Sequence, residues 1–417
     1  MSWCLYDFAN SAFTTLVVTF IYAPFFTQVI VGDTIRGTEL WSRAITISAL
    51  LIAGLSPVMG AIADRGGHRK RFLLAWTAVA IGFAALLYLP VAGQVGLALV
   101  IFVVGNVAFE MASVFYNAFL PDVAPADRIG RISGYGWALG YVGGLLAMAL
   151  ALVALVQPEV PWFGLSRDGH QNLRATNLLV AVWFAAFCWP IFAFVREDRS
   201  GAAPPGTPLV RAAIGELKET WQEVRKYRQV VRLLLARLLY NDGLITVFSF
   251  GGIYAQDTFG FAMQDILVFG IVLNVTAGLG AFTLGFLDDR LGGKRTIQLS
   301  LIGLSLATVL AVAAPNRTLF WAAAIVIGIF SGPNQAASRS LLGRFVPPDK
   351  ENEFFGFFAF SGKATAFLGP ALLGLLTRAF DSQRAGVAVV LLFFVAGLAI
   401  LRGLDERDGI AAAGRGA

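Results

Sequence analysis

PVMGAIADRGGHRKR, from Pro57 to Arg71, occurs twice in this chain. The second copy is AFTLGFLDDRLGGKR, Ala281 to Arg295, in which Gly60, Asp64, Arg65, Gly67, Arg69 and Lys70 are answered by Gly285, Asp289, Arg290, Gly292, Lys294 and Arg295, each 225 positions later. Each copy closes an apolar run with a glycine, an Asp-Arg pair, a glycine turn and a basic cluster, as a helix does when it leaves a membrane on its cytoplasmic face. A second element repeats beside the first: Pro125, Asp127, Gly134 and Gly140 recur 222 positions later as Pro347, Asp349, Gly356 and Gly362. Two long-period repeats in the same half-relative place indicate two copies of one bundle, so function is to be sought between two halves.

Composition fixes the setting. The 417 residues are 57% hydrophobic and 14% charged, with a mean hydropathy of +0.71, which describes a polytopic membrane protein and not a water-soluble globule. The net charge of +6 is read as loop charge that orients helices, so no nucleic-acid partner is expected. Cys4 and Cys188 both lie in apolar runs, and no disulfide is expected. The first apolar helix follows Met1 without a cationic leader or a small-residue cleavage site and is expected to be retained. Arginines outnumber lysines 26 to 6, which with abundant Ala and Gly suggests a GC-rich bacterial genome and a place in the inner (cell) membrane.

A bilayer core takes about 20 apolar residues as helix, and twelve runs fit: 5–30, 44–63, 72–90, 96–120, 132–156 and 175–195, then 233–255, 266–287, 296–314, 318–338, 354–377 and 385–401. The expected organisation is all-α: a six-helix bundle over 1–196, a linker over 197–231, a second six-helix bundle over 232–403 and a tail over 404–417. Within the linker, GAAPPGTP at 201–208 is flexible composition, and Ile214, Leu217, Trp221 and Val224 share one face of an amphipathic helix that would lie on the membrane surface. Loops on one side carry 23 Lys and Arg, loops on the other carry 7, and both termini are therefore placed in the cytoplasm.

The pattern G-x-x-x-D-R-x-G followed by basic residues, at corresponding loops of two halves, resembles the signature of the major facilitator superfamily. LYDFANSAF in helix one, FYNAFLPDVAP leaving helix four, LYNDGLITVFSFGGIYA in helix seven, NQAASRSLLGRFVP leaving helix ten and GFFAFSGKATAFLGP in helix eleven are similar to the UMF1 group of that superfamily, which includes the fungal vacuolar effluxer autophagy-related protein 22. The resemblance implies twelve transmembrane helices in two pseudo-symmetric bundles, alternating access, and helices one, four, seven and ten around a central cavity. It also implies that Gly60, Asp64 and Arg65, with Gly285, Asp289 and Arg290, form a gate. In that gate Asp64 meets the N-terminus of helix eleven and Asp289 that of helix five.

Polar residues recur at helical spacing on those four helices: Asp7 and Asn10 with Ser11 and Thr14; Asn106, Glu110, Ser113 and Asn117; Tyr240, Asn241 and Asp242 with Thr246 and Ser249; Asn334, Gln335 and Arg339 with Ser331 and Ser338. Ser, Thr and Asn at such positions also serve simply to bond packed helices. A charge in hydrocarbon costs roughly 3 kcal/mol or more, so charges weigh more heavily than the neutral polar groups. Asp7, Glu110, Arg237, Asp242 and Lys363 fall inside the spans. Glu110 is the leading candidate for a proton or an ammonium group, against the alternative of a static ion pair with Lys363. For Asp7 and Asp242 the competing reading is complementing a helix dipole, and for Lys363 and Arg339 it is snorkelling to the interface.

No P-loop is present, and His68 and His170 stand in loops, so neither an enzyme, a cofactor nor a metal site is expected. The expected activity is secondary transport of a small polar solute, with amino acids or small peptides as the class suited to residues of both signs and protons as a coupling option, by a monomer in the lipid bilayer. The alternatives are an exporter of amphipathic drug-like compounds and a lipid-handling membrane protein on the same fold.

Overall fold

The computed structural model describes residues 1–66, 68–197, 209–222 and 225–415. Gly67 of the first repeat, the 201–208 linker stretch and Val224 lie outside the described residues, within which all regular structure is helical. The membrane helices are α1 Cys4–Ile30, α2 Thr34–Arg65, α3 Arg69–Leu86, α4 Val95–Val123, α5 Ile129–Val156, α6 Gln171–Phe194, α7 Arg228–Phe259, α8 Gln264–Leu291, α9 Gly293–Ala313, α10 Arg317–Phe345, α11 Glu351–Phe380 and α12 Gln383–Arg402. Eleven of them are long and apolar enough to cross a membrane. The twelfth, α3, has 18 residues and opens on Arg69, Lys70 and Arg71, which explains its lower apolar content and brings the count to the expected twelve. A linker helix spans Leu209–Gln222 and a short tail helix Glu406–Ala412.

Two helices differ from the sequence expectation in ways that bear on function. Helix α2 starts at Thr34, ten residues before the apolar run, because its polar first turns continue the helix beyond hydrocarbon. Helix α11 is broken into Glu351–Lys363 and Leu368–Phe380. Gly369 and Pro370 open the second piece, where a missing N–H is tolerated. A break at membrane depth releases backbone groups that need partners. The Gly362 carbonyl accepts from the Asn241 side chain of α7 at 3.1 Å, and Thr365 Oγ1 donates to the Leu238 carbonyl at 3.3 Å.

The chain forms two compact units. The first contains residues 1–52, 68–116 and 139–197, the second 53–67, 117–138 and 198–417. The second unit thus includes two stretches of the N-terminal half, the end of α2 and the start of α5. In the first unit α1 and α3 pack on α6. Tyr116 stacks between Trp3 and Tyr6 at centroid separations of 4.6 and 4.7 Å, and Phe8 stacks on Trp183 at 5.2 Å. In the second, α8 and α9 pack on α10, and α7 packs on α12.

Candidate functional site

The geometry of the repeats starts from a property of every helix: its first N–H groups have no partner within the helix, and they carry the positive end of the dipole. Asp64 ends the apolar part of α2, and its carboxylate accepts from the N–H of Asn352 at 3.1 Å and of Glu353 at 2.8 Å, the first turn of α11. The Asn352 side-chain amide adds a third bond at 2.6 Å. Asp289, at the end of α8, accepts from the Gly130 N–H at 2.8 Å and from Arg131 Nε at 2.7 Å, the first turn of α5. Gly130 and Arg131 lie 222 positions before Asn352 and Glu353, so the two sequence repeats are partners in space.

Glycine is required where these helices cross. A Cβ at Gly60 would collide with the Asn352 carbonyl oxygen, one at Gly356 with that of Ser56, and one at Gly134 with that of Ala281. At Gly285 the nearest atom would be the Cα of Arg131, 3.1 Å away. Ser56 Oγ donates to the Gly356 carbonyl at 2.9 Å, which fastens the first crossing. Of the remaining predicted gate residues, Arg65 comes within 4.0 Å of Glu219 on the linker helix, and Arg290 is exposed.

Sequence reasoning missed several residues that support these crossings. Asp288 is buried, pairs with Arg344 at 2.6 Å and accepts from Ser340. Arg344 also comes within 3.7 Å of both Asp289 and Glu406. Glu406, from the tail helix, accepts the first N–H groups of α9, Gly293 and Lys294, each at 3.0 Å. Glu197 does the same for α3 by accepting the Lys70 N–H at 2.8 Å. In each half, then, a carboxylate following the last helix caps the third. Arg415 pairs with Glu351 and donates to the Val346 carbonyl at 2.6 Å. The doublet Asp288-Asp289, where the first copy has Ala63-Asp64, was the one sequence signal of a larger network at the second crossing.

Among the predicted solute-site residues, the second unit gathers one cluster. Tyr240 OH bonds Ser338 Oγ at 2.7 Å, Ser338 Oγ donates to the Asn334 carbonyl at 2.6 Å, and the Asn334 amide donates to Ser300 Oγ at 3.0 Å. Gln335 reaches Asn241 Oδ1 at 3.4 Å. Asp242 is 1% exposed, and its Oδ2 has no hydrogen-bond partner among the described residues. Because α7 starts at Arg228, Asp242 is 14 residues, about 21 Å, from the helix start. Dipole complementation in the first turns, weighed for it above, is thereby excluded. Arg237, one turn earlier, donates to the Phe358 carbonyl at 2.7 Å and lies 3.6 Å over the Phe358 ring. Half-buried Lys363 ends the first piece of α11, beside the Gly362 carbonyl that Asn241 occupies.

Arg339 is buried, and its guanidinium donates to Ser133 Oγ at 3.0 Å, the Ser133 carbonyl at 2.8 Å and Asn117 Oδ1 at 3.1 Å. It ties α10 to the start of α5 and the end of α4, and it does not snorkel. In the first unit, Asn10 is buried and Asp7, Asn106 and Glu110 are half-buried. Asp7 does stand in the first turn of its helix. Ser11 Oγ donates to the Asp7 carbonyl at 2.7 Å, and 235 positions later Thr246 Oγ1 donates to the Asp242 carbonyl at 2.7 Å. Helices α1 and α7 thus share one side-chain-to-backbone bond at corresponding positions.

Over residues 31–414 the sequence matches the family described as Vacuole effluxer Atg22 like. The chain belongs to that family. This Atg22-like chain is 28% identical over 408 residues to the uncharacterized MFS-type transporter YxiO of Bacillus subtilis, covering 97% of this chain and 94% of that one. It is 24% identical over 337 residues to autophagy-related protein 22 of Kluyveromyces lactis, covering 74% and 67%. Its fold matches that of the proton:xylose symporter XylE bound to 6-bromo-6-deoxy-D-glucose, with a TM-score of 0.75 at 13% identity over 98% of this chain and 95% of that one. It also matches the human organic anion transporter MFSD10, with a TM-score of 0.71 at 13% identity over 96% and 98%. The Atg22-like chain is accordingly a multi-pass membrane protein with the major facilitator fold.

Proposed function

We propose that this Atg22-like chain is a secondary transporter that moves a small polar solute by alternating access. The supporting observation is the pair of crossings, in which each repeated aspartate caps a helix of the other half of the sequence and the glycines let backbones touch. Such contacts are strong enough to hold a path shut. Each carboxylate at a helix N-terminus is worth roughly 0.3 to 1 kcal/mol, rising to about 2 in partly buried geometry, and is still weak enough to part when solute binding favours another state. The loop-charge asymmetry supports a cytoplasmic place for these crossings and both termini, and the proposed setting is a monomer in a bacterial inner membrane.

The proposed solutes are amino acids or small peptides. The resemblance to autophagy-related protein 22 suggests the class; within the second unit Asp242 and Lys363 carry opposite signs, as a zwitterion needs, and Asp7 and Glu110 are further candidate acids within the first unit. Arg339 is left out because its donors are engaged within the protein. Asp242 is assigned the coupling proton, since it has a buried carboxylate oxygen without a hydrogen-bond partner among the described residues, deep in its helix. The test is transport in proteoliposomes with labelled amino acids and dipeptides. Asp242→Asn should abolish accumulation driven by a proton gradient and leave solute exchange at equal concentrations intact. Accumulation equal to wild type removes Asp242 from coupling, and absence of exchange by the wild type with every amino acid and dipeptide rejects the solute class.

A further inference from the structure

A groove of about 390 Å³ runs along α7 from Tyr227 to Leu238, walled by Ala53 and Pro57 of α2, Phe354 and Phe357 of α11, and Thr220 of the linker helix. Along its length it is apolar, and Leu235 and Phe360 on its wall are 50% and 41% exposed, as side chains facing acyl chains are. The 11 helical rises from Tyr227 to Leu238 make it roughly 16 Å long. Its two ends differ. At the Tyr227 end Lys350 Nζ bonds Thr220 Oγ1 at 2.9 Å and lies 5.9 Å from the centre of the Tyr227 ring, and Lys226 Nζ lies 5.4 Å from the same ring. Two ammonium groups thus flank the mouth, and Lys226 is exposed. On the linker helix Glu219 faces Arg65 at 4.0 Å.

We propose that this groove binds one anionic phospholipid, its acyl chain along α7 between α2 and α11 and its phosphate on Lys226 and Lys350. Charge complementarity selects the headgroup, because ammonium groups at a membrane surface attract anionic lipid over neutral lipid. Burial of a chain against Leu, Val and Phe side chains holds the rest. The amphipathic linker helix then has a role: it places Thr220 where headgroups lie. The proposal is independent of the transport reading, because it concerns binding to a different face of the second unit.

The test is native mass spectrometry of the delipidated full-length protein, titrated with phosphatidylglycerol and with phosphatidylcholine of the same chains. One phosphatidylglycerol should bind at least tenfold more tightly than phosphatidylcholine. The Lys226→Gln/Lys350→Gln variant should lose that preference, and Leu234→Trp, which fills the groove, should weaken binding of both lipids; thermal melting checks that each variant is folded. Equal binding of the two lipids would mean ordinary bulk lipid and would overturn the proposal. A preference that survives in the double-lysine variant would overturn it too, as would competition by glycerol 3-phosphate as effective as the whole lipid.

Discussion

The crossing at Asp64 and the crossing at Asp289 share one plan carried out with different chemistry. In both, an aspartate from the end of one helix takes the free N–H groups of another, and glycines on both helices allow the approach. The acceptor and the glycines repeat in sequence, and the donors do not. Asn352 and Glu353 stand where Gly130 and Arg131 stand in the other copy, so Asp64 receives a neutral side-chain amide and Asp289 a guanidinium. Around Asp289 the network extends through Arg344 and Asp288 to the tail helix. Duplication preserved what the backbone geometry demands and left side-chain partners free to diverge, which makes the two crossings separable by mutation.

The largest difference is expected from glycine. Gly60→Ala or Gly356→Ala drives a Cβ into a backbone oxygen that cannot turn aside, at a cost of about 1 to 3 kcal/mol, and should shift the Asp64 crossing toward the parted state at least several-fold. Gly285→Ala needs a shift of only tenths of an ångström and should be nearly silent. Spin-label distances between the end of α2 and the start of α11, and between the end of α8 and the start of α5, read both; equal responses at Gly60 and Gly285 would show that close approach does not distinguish them.

Next in size is the loss of the carboxylates. Asp289→Ala should cost more than Asp64→Ala, because it removes the Arg131 ion pair as well as a backbone acceptor, although the 32% exposure of the Arg131 side chain keeps the difference small. Arg131→Gln in the Asp289→Ala background should then add nothing, and an additive effect would break the comparison.

The smallest effects belong to the capping glutamates. Glu406→Gln weakens acceptance from two N–H groups and the approach to Arg344, and should lower stability by about 1 kcal/mol. Glu197→Gln loses charge toward the Lys70 N–H and should cost about half as much. Thermal melting with hydrogen exchange at the starts of α9 and α3 measures the pair, and a larger loss at Glu197 would reverse the order of the two halves.

How much was legible in advance can be argued from single residues. Membrane insertion depends on sums over about 20 neighbouring residues, so the helices were readable; the early start of α2, the extension of α10 to Phe345 and the break in α11 were not, because polar turns continue a helix past hydrocarbon and packing sets a break. Gly60 and Gly285 were readable because a repeat exposes them, while the expected meeting of Asp64 with α11 came from the family resemblance. Arg344 and Glu406 were not readable, since neither repeats and both act on partners far off in the chain. Arg339 looked like a solute-site residue or a snorkelling side chain, because a sequence does not show whether a guanidinium's donors are already engaged.

By itself the sequence determined a chain of apolar helices in two related halves with like charges gathered in alternate loops, because hydropathy and repeat register are local and additive. Only the tertiary structure decided that Asp242 lies deep in α7 with an oxygen that has no partner among the described residues, that Asn241 holds the break in α11, and that Arg339 is bound to Ser133 and Asn117. Those outcomes depend on pairs of residues from about 100 to more than 200 positions apart, or on where a helix begins, and packing rather than local preference sets both.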